Sequence, residues 1–233
     1  MKIKIWSDFQ CPFCYMGETR LEGVLGDMEL TEPVEIVYKA YQLDPEAGDE
    51  PKETMTEHFM AGHDLTQEEA GKRMAKITAM AARVGLAYDL PGVKVCSSMG
   101  AHRLMKFAAS RLSPGRLKKL NFHLFKANFE ENLLLADHNV LADIAAGVGL
   151  AREEVLDMLS GDEYKADVMA DQRELDSRED FEFVPYMLAG NGAVVQGVVT
   201  DHQLHDWIEG AMAGAGGGPS AKGDGCGPEG CAV

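Results

Sequence analysis

Two cysteines two residues apart, Cys11-Pro12-Phe13-Cys14, stand near the start of the chain. Thiols at this spacing serve dithiol–disulfide exchange, form half of a metal site, or sit buried as inert structural groups. Exchange needs an exposed nucleophilic thiolate and a second thiol that turns back to resolve the mixed disulfide. A helix N-terminus supplies the setting, because its unpaired N–H groups and dipole favour negative charge on the first sulfur. Cys11 is therefore read as the attacking thiolate and Cys14, one turn along and more buried, as the resolving thiol. Pro12 suits the first helical turn, where its missing N–H is not needed. Pro12 and Phe13, between the thiols, are read as substrate-binding. A zinc module would instead pair Cys11 and Cys14 with Cys226 and Cys231. Such pairs usually sit on loops or hairpin turns, and a helix starting at the cysteines favours redox chemistry.

The elements around the motif follow from apolar spacing. Ile3 and Ile5 mark a strand before the cysteines, and Tyr15, Leu21, Val24 and Leu25 give the following helix its core face. Val34, Ile36, Tyr38 and Ala40 alternate as a second strand, which makes a βαβ unit with parallel strands. Residues 54–162 read as helical. Thr66 and Glu69 form a capping box for a helix carrying Ala70, Met74, Ile77, Ala81 and Val84. Ala101, Leu104, Met105 and Ala108 mark another helix, and Ser113-Pro114 opens a third. Asp137 opens a fourth, and "REEVLDML" a fifth. A charged helix over about 163–178 leads to "FEFVPYMLAGNGAVVQG", a hairpin turning at Gly190-Asn191-Gly192. A last helix covers about 201–212. The order β-α-β, helical block, α-β-β-α predicts an α/β thioredoxin fold, residues 1–53 with 163–212, interrupted by an all-helical insertion at 54–162. Residues 213–233 read as a mobile Gly-rich tail.

In such a fold a cis-proline precedes the strand facing the cysteine motif. Pro185 stands where that proline belongs, so a cis Val184–Pro185 bond is expected, with Val184 as a substrate contact. On "SDFQCPFCYMG", "AHRLMKFA", "LFKANFEENLLLADHNVLADIAAGVGL" and "FVPYMLAGNGAVVQG", the chain resembles the DsbA-like thioredoxin oxidoreductases, most closely their FrnE-like cytoplasmic branch. The resemblance covers nearly the whole chain. It implies exchange on protein or small-molecule thiols and disulfides, as an oxidoreductase or isomerase, with Cys11, Cys14 and Pro185 forming the site. Kappa-type glutathione transferases and 2-hydroxychromene-2-carboxylate isomerases share the superfamily, but they usually carry serine at the place of Cys11. A glutathione-dependent reaction on the same fold is thus the other alternative.

The remaining features bound the function. A net charge of −16 argues against nucleic acid and anionic membrane as partners. The start of the chain has no apolar targeting segment and no stretch has transmembrane length, so a cytoplasmic location is expected. No cofactor or metal is called for. Cys226 and Cys231 are expected to form a second redox pair, able to close a small disulfide; a passive exposed pair is the other reading. Some FrnE-like relatives also end in a cysteine pair. Asp8 either accepts a proton near the thiols or only ends the strand. His102 and Arg103 either line a groove or pack, the thirteen methionines are read as core, and Cys96 is a spare thiol.

Overall fold

A computed structural model of the chain describes residues 1–30, 32–51, 53–214, 220–227 and 230–232. The chain divides into two compact units, Met1–Leu43 with Asp171–Val233, and Asp44–Ala170.

The first unit is built on a five-stranded sheet. It contains β1 (Lys2–Ser7), β2 (Glu35–Ala40), β3 (Tyr186–Ala189), β4 (Val194–Gln196) and β5 (Ala221–Lys222) in the order β2-β1-β3-β4-β5. β1 runs parallel to β2, as the helical crossover α1 (Pro12–Asp27) requires, and antiparallel to β3. Ile3 and Ile5 point to one face, where Leu21 and Val24 of α1 meet Leu204, Trp207 and Ile208 of α9 (Asp201–Met212) in one buried cluster. On the opposite face Trp6 lies edge-on to Tyr186, with ring centroids 5.7 Å apart, and donates from Nε1 to the Asp171 carbonyl at 2.9 Å. Asp171 also accepts from Lys39 Nζ at 2.7 Å and from the Ala40 N–H at 2.9 Å. These bonds explain why this unit resumes at Asp171 rather than at the expected 163. The helix α8 (Lys165–Asp176) spans the boundary, and its second half carries the partner of Trp6, Lys39 and Ala40.

The tail differs from the expected unpacked segment. Its linker residues 215–219, and Pro228 and Glu229, lie outside the described residues. Ala221–Lys222 extends the sheet beside β4, and β6 (Gly225–Gly227) pairs antiparallel with β7 (Gly230–Ala232). Glycine, read as a sign of mobility, here permits close backbone approach.

The second unit is helical: α2 (Met55–His63), α3 (Gln67–Ala82), α4 (Met99–Ala109), α5 (Pro114–Phe129), α6 (His138–Ala146), α7 (Arg152–Ser160) and the start of α8. Thr54 and Thr66 each accept from the N–H three residues on, while Glu57 and Glu69 accept from the cap N–H groups. These are two capping boxes, of which the sequence reading named the second. Ala101, Leu104, Met105 and Ala108 are buried as their spacing predicts. Arg103 settles its two readings in favour of packing. Its guanidinium donates to the carbonyls of Met158 (2.7 Å), Leu159 (3.3 Å), Gly161 (2.6 Å) and Glu163 (2.6 Å), at and just beyond the end of α7. His102 beside it is also buried, as is Cys96, a free thiol. No helix among the described residues is long and apolar enough to cross a membrane.

Arg103→Lys removes the planar fork while keeping the charge. Each carbonyl left without a donor costs about 1–3 kcal/mol, so the unfolding midpoint in urea should fall clearly. An unchanged midpoint would contradict the capping role.

Candidate active site

The turn between β1 and α1 is organised by Asp8. Its carbonyl accepts from the Cys11 N–H at 3.0 Å, and its carboxylate accepts from Gln10 N–H at 3.1 Å and from Leu43 N–H at 2.7 Å. The side chain is 1% exposed. Both carboxylate oxygens are thus engaged by backbone donors. Of the two readings of Asp8, the structure favours the one that ends the strand and shapes the turn. The turn delivers Cys11 as the N-cap of α1 with extended backbone (φ −94°, ψ 114°) and Pro12 as the first helical residue.

Cys11 and Cys14 are both free thiols and both 0% exposed. Cys14 lies within hydrogen-bonding reach of Cys11, and its sulfur accepts from the Asp8 N–H at 3.4 Å. Burial pushes the Cys14 thiol well above its usual range, and its hydrogen bond to Cys11 and the charge there push the same way. Glu18 adds to the rise, while the Asp8 N–H opposes it. These influences favour the protonated form of Cys14, whose S–H lies within reach of the Cys11 sulfur. The burial of Cys11 departs from the exposed thiolate that exchange requires, so access must involve movement of what covers it. Pro12 and Phe13 are buried as well, Phe13 completely; in this state Phe13 packs and offers no open surface to a substrate.

Pro185 reaches the motif through the sheet. Trp6 pairs with Tyr186, so one step further along the antiparallel ladder sets Pro185 beside the end of β1. The Val184–Pro185 peptide is cis. Gly17, one turn after Cys14, lies so close that a Cβ there would sit 2.6 Å from Pro185 Cγ. Val184 is buried, and its backbone is occupied: its N–H donates to the Cys226 carbonyl at 2.7 Å and its carbonyl accepts from the Cys226 N–H at 3.3 Å. Cys226 is buried and disulfide-bonded, and its Cα partner across β6 and β7 is Cys231. The zinc alternative needs a thiolate at Cys226, which a disulfide sulfur does not provide. Among the described residues, the acidic and histidine side chains close enough to hold an ion are His205, Asp206 and Glu209, all exposed and remote in sequence from the cysteines.

Two residues went unnoticed in the sequence. Glu18 is 2% exposed and accepts from Ser7 Oγ at 2.5 Å. Its spacing, four after Cys14 and seven after Cys11, puts it on the helix face of the thiols, and that spacing was the available signal. Gln196 on β4 accepts from the N–H groups of Glu182 and Phe183 at 2.8 and 3.1 Å, and donates to the Asp180 carbonyl at 2.7 Å. It holds the segment leading into Val184, a role that no local pattern encodes.

A raised thiol pKa favours the protonated form in the folded state. Its contribution to the stability of the reduced protein is present at neutral pH and is lost as pH rises past the ordinary thiol value of about 8.5. Iodoacetamide should label Cys11 ahead of Cys14 throughout the neutral range, with peptide mapping as the readout. Glu18→Gln, by removing a nearby charge, should move the onset of Cys14 labelling to lower pH. Equal labelling of the two thiols at pH 7 would contradict the asymmetry.

The comparisons with known proteins bear on fold and family. A probable DsbA oxidoreductase from Streptomyces coelicolor has a structure that superposes with a TM-score of 0.85 at 29% identity, over 100% of this chain and 99% of that one. The cytosolic disulfide reductase DsbM from Pseudomonas aeruginosa, solved with GSH, gives 0.56 at 18% identity over 91% and 96%, a likeness of fold alone. The uncharacterized protein YwbO from Bacillus subtilis (strain 168) is 24% identical over 152 residues; the match spans 64% of this chain and 66% of that protein, just under two thirds. The fold is one that supports thiol–disulfide exchange in general. The DSBA-like thioredoxin domain matches residues 2–209, and with a match over most of its length the chain belongs to that family.

Proposed function

We propose that the protein is a thiol–disulfide oxidoreductase acting through Cys11 and Cys14. The observation that carries the reading is geometric: two free thiols stand at the start of one helix, Cys11 at its N-cap and Cys14 one turn on, with the cis Pro185 packed against the next turn at Gly17. In the reducing direction, the Cys11 thiolate attacks one sulfur of a substrate disulfide. A Cys11–substrate S–S bond forms, the substrate S–S bond breaks, and one substrate thiolate leaves. Cys14 then loses its proton and attacks the Cys11 sulfur, releasing the second substrate thiolate. The substrate disulfide has gained two electrons and Cys11–Cys14 has become the disulfide. The reverse sequence oxidises a substrate dithiol. Asp8 shapes the turn from which Cys11 attacks, and Pro185 packs against α1 one turn beyond Cys14.

The disulfide at Cys226 is, in this reading, an intramolecular substrate of the same exchange. Cys11 attacks the Cys226 sulfur, Cys231 leaves as thiolate, and Cys14 completes the transfer, leaving a reduced tail pair and an oxidised first pair. The support is the docking of Cys226 on Val184, next to Pro185. The cytosolic DsbM relative and the absence of a membrane-length helix among the described residues are compatible with action in the cytoplasm.

Cys11→Ser should reduce exchange on a disulfide substrate to the uncatalysed rate, and wild-type activity in that variant would refute the assignment. Cys14→Ser should accumulate a mixed disulfide through Cys11, visible by intact-mass spectrometry. In a Cys226→Ser, Cys231→Ser double variant the redox state of the first pair should change during turnover with a protein substrate. A time course identical to wild type would remove the tail from the mechanism.

A further inference from the structure

Charge is unevenly distributed along this chain. Between Asp89 and Glu130 stand eight Lys and Arg residues and no Asp or Glu, in a protein whose net charge is −16, so the rest of the chain carries −24. The fold uses two of these cations: Arg103 caps α7, and Arg111 lies over the Phe107 ring, 3.7 Å from its centroid. The largest group stands on α5. Arg116, Lys119, His123 and Lys126 follow at intervals of three, four and three, which sets them along one stripe of the helix. Arg116, Lys119 and Lys126 are exposed and His123 is half-buried. Among the described residues, neither Arg116 nor Lys119 forms an ion pair. Lys126 meets Glu131 at 2.9 Å, which leaves other donors of its ammonium group for a ligand.

These cations do not serve their own helix. Arg116 falls in the first turn of α5, where the helix dipole favours acids, and that turn holds none. Like charges three and four residues apart repel. His123 titrates below its usual range through burial first and then through Lys119 and Lys126, with Glu131 acting the other way. The stripe also has a closed end. The Asp89 N–H donates to the Phe129 carbonyl at 2.8 Å, so Asp89, Glu130 and Glu131 gather where α5 stops.

The stripe is about 15 Å long at 1.5 Å per residue. An extended peptide of that length turns only two or three side chains to one face. A helix with carboxylates at the same intervals presents four. A nucleic acid strand, charged at every step, would run its phosphates onto the acids at the closed end. We propose that this face of α5 docks an acidic amphipathic helix of a partner protein, with four carboxylates opposite Arg116, Lys119, His123 and Lys126. The acidic remainder of the chain repels the same partner in other orientations, so charge sets both partner and pose. The association is non-covalent, involves none of the cysteines, and stands apart from the exchange reading.

The experiment uses the full chain and two fluorescent, alanine-rich peptides of about twenty residues, long enough to populate helix. Each carries four Glu, at the three-four-three spacing in one and spread round the helix in the other. Binding is followed by fluorescence anisotropy at about 10 mM salt, where screening is weak. The peptide with the matched spacing should bind at least about tenfold more tightly. Lys119→Glu with Lys126→Glu should weaken that binding by at least about tenfold. Lys72→Glu with Lys76→Glu makes the same change in net charge on exposed positions of α3 and should leave it within about threefold. Equal binding of the two peptides, binding of neither, or equal losses in the two double variants would each overturn the proposal. An oligothymidylate of about twelve nucleotides that displaces the matched peptide at equal concentration would assign the face to nucleic acid and overturn it too. If the α5 double variant does not fold, as judged by circular dichroism, the comparison of the two peptides on the wild-type chain decides alone.

Discussion

The antiparallel pairing of β1 with β3 is the constraint on which the site depends. β1 is bonded on both sides, to β2 and to β3, and both its faces are covered. A one-residue slip would carry Ile3 and Ile5 out of the cluster with Leu21 and Trp207 and drive Trp6 into it. With Trp6 opposite Tyr186, the end of β1 and the start of β3 must meet at one edge of the sheet. That meeting brings the helix carrying both thiols against Pro185. Gly17 on α1 makes the approach possible, since a methyl group there would already overlap the proline ring.

Within that frame, local polar bonds create the inequality of the thiols. Asp8 spends its side chain on two backbone N–H groups and its own backbone on Cys11 and Cys14. A buried side chain so placed ties the turn to the backbone at Gln10 and Leu43. Glu18, held by Ser7, contributes negative charge near Cys14. Burial and charge act together on the second sulfur and push its pKa up, which favours the protonated thiol.

The tail extends the same logic from side chains to backbone. Buried main-chain groups need partners, and the N–H and carbonyl of Val184 find them in Cys226. Only glycine at 225 and 227 lets the two backbones come that near. A segment with almost no apolar side chains thus docks through main-chain bonds and the absence of Cβ atoms, not through a hydrophobic face.

The sequence by itself determined the order of sheet and helical blocks as far as α9, because apolar spacing and caps are local properties. Period-two alternation marked β1 and β2, and the Thr66–Glu69 box opened α3. The cysteine pair was legible for the same reason: strand, CxxC and helix are consecutive. Pro185 could be singled out only once the fold was assumed, since Gly17, which it packs against, is 168 positions earlier in the chain. Other features were decided by tertiary structure alone. The return of the first unit at Asp171 depends on bonds to Trp6, Lys39 and Ala40, and Arg103 became a helix cap through carbonyls some sixty residues on. The docking of residues 221–227 is not legible in the sequence because composition reports how freely glycine moves when alone. Its lack of a side chain becomes a packing feature only when another backbone, here that of Glu182 to Val184, arrives within the distance that any Cβ would forbid.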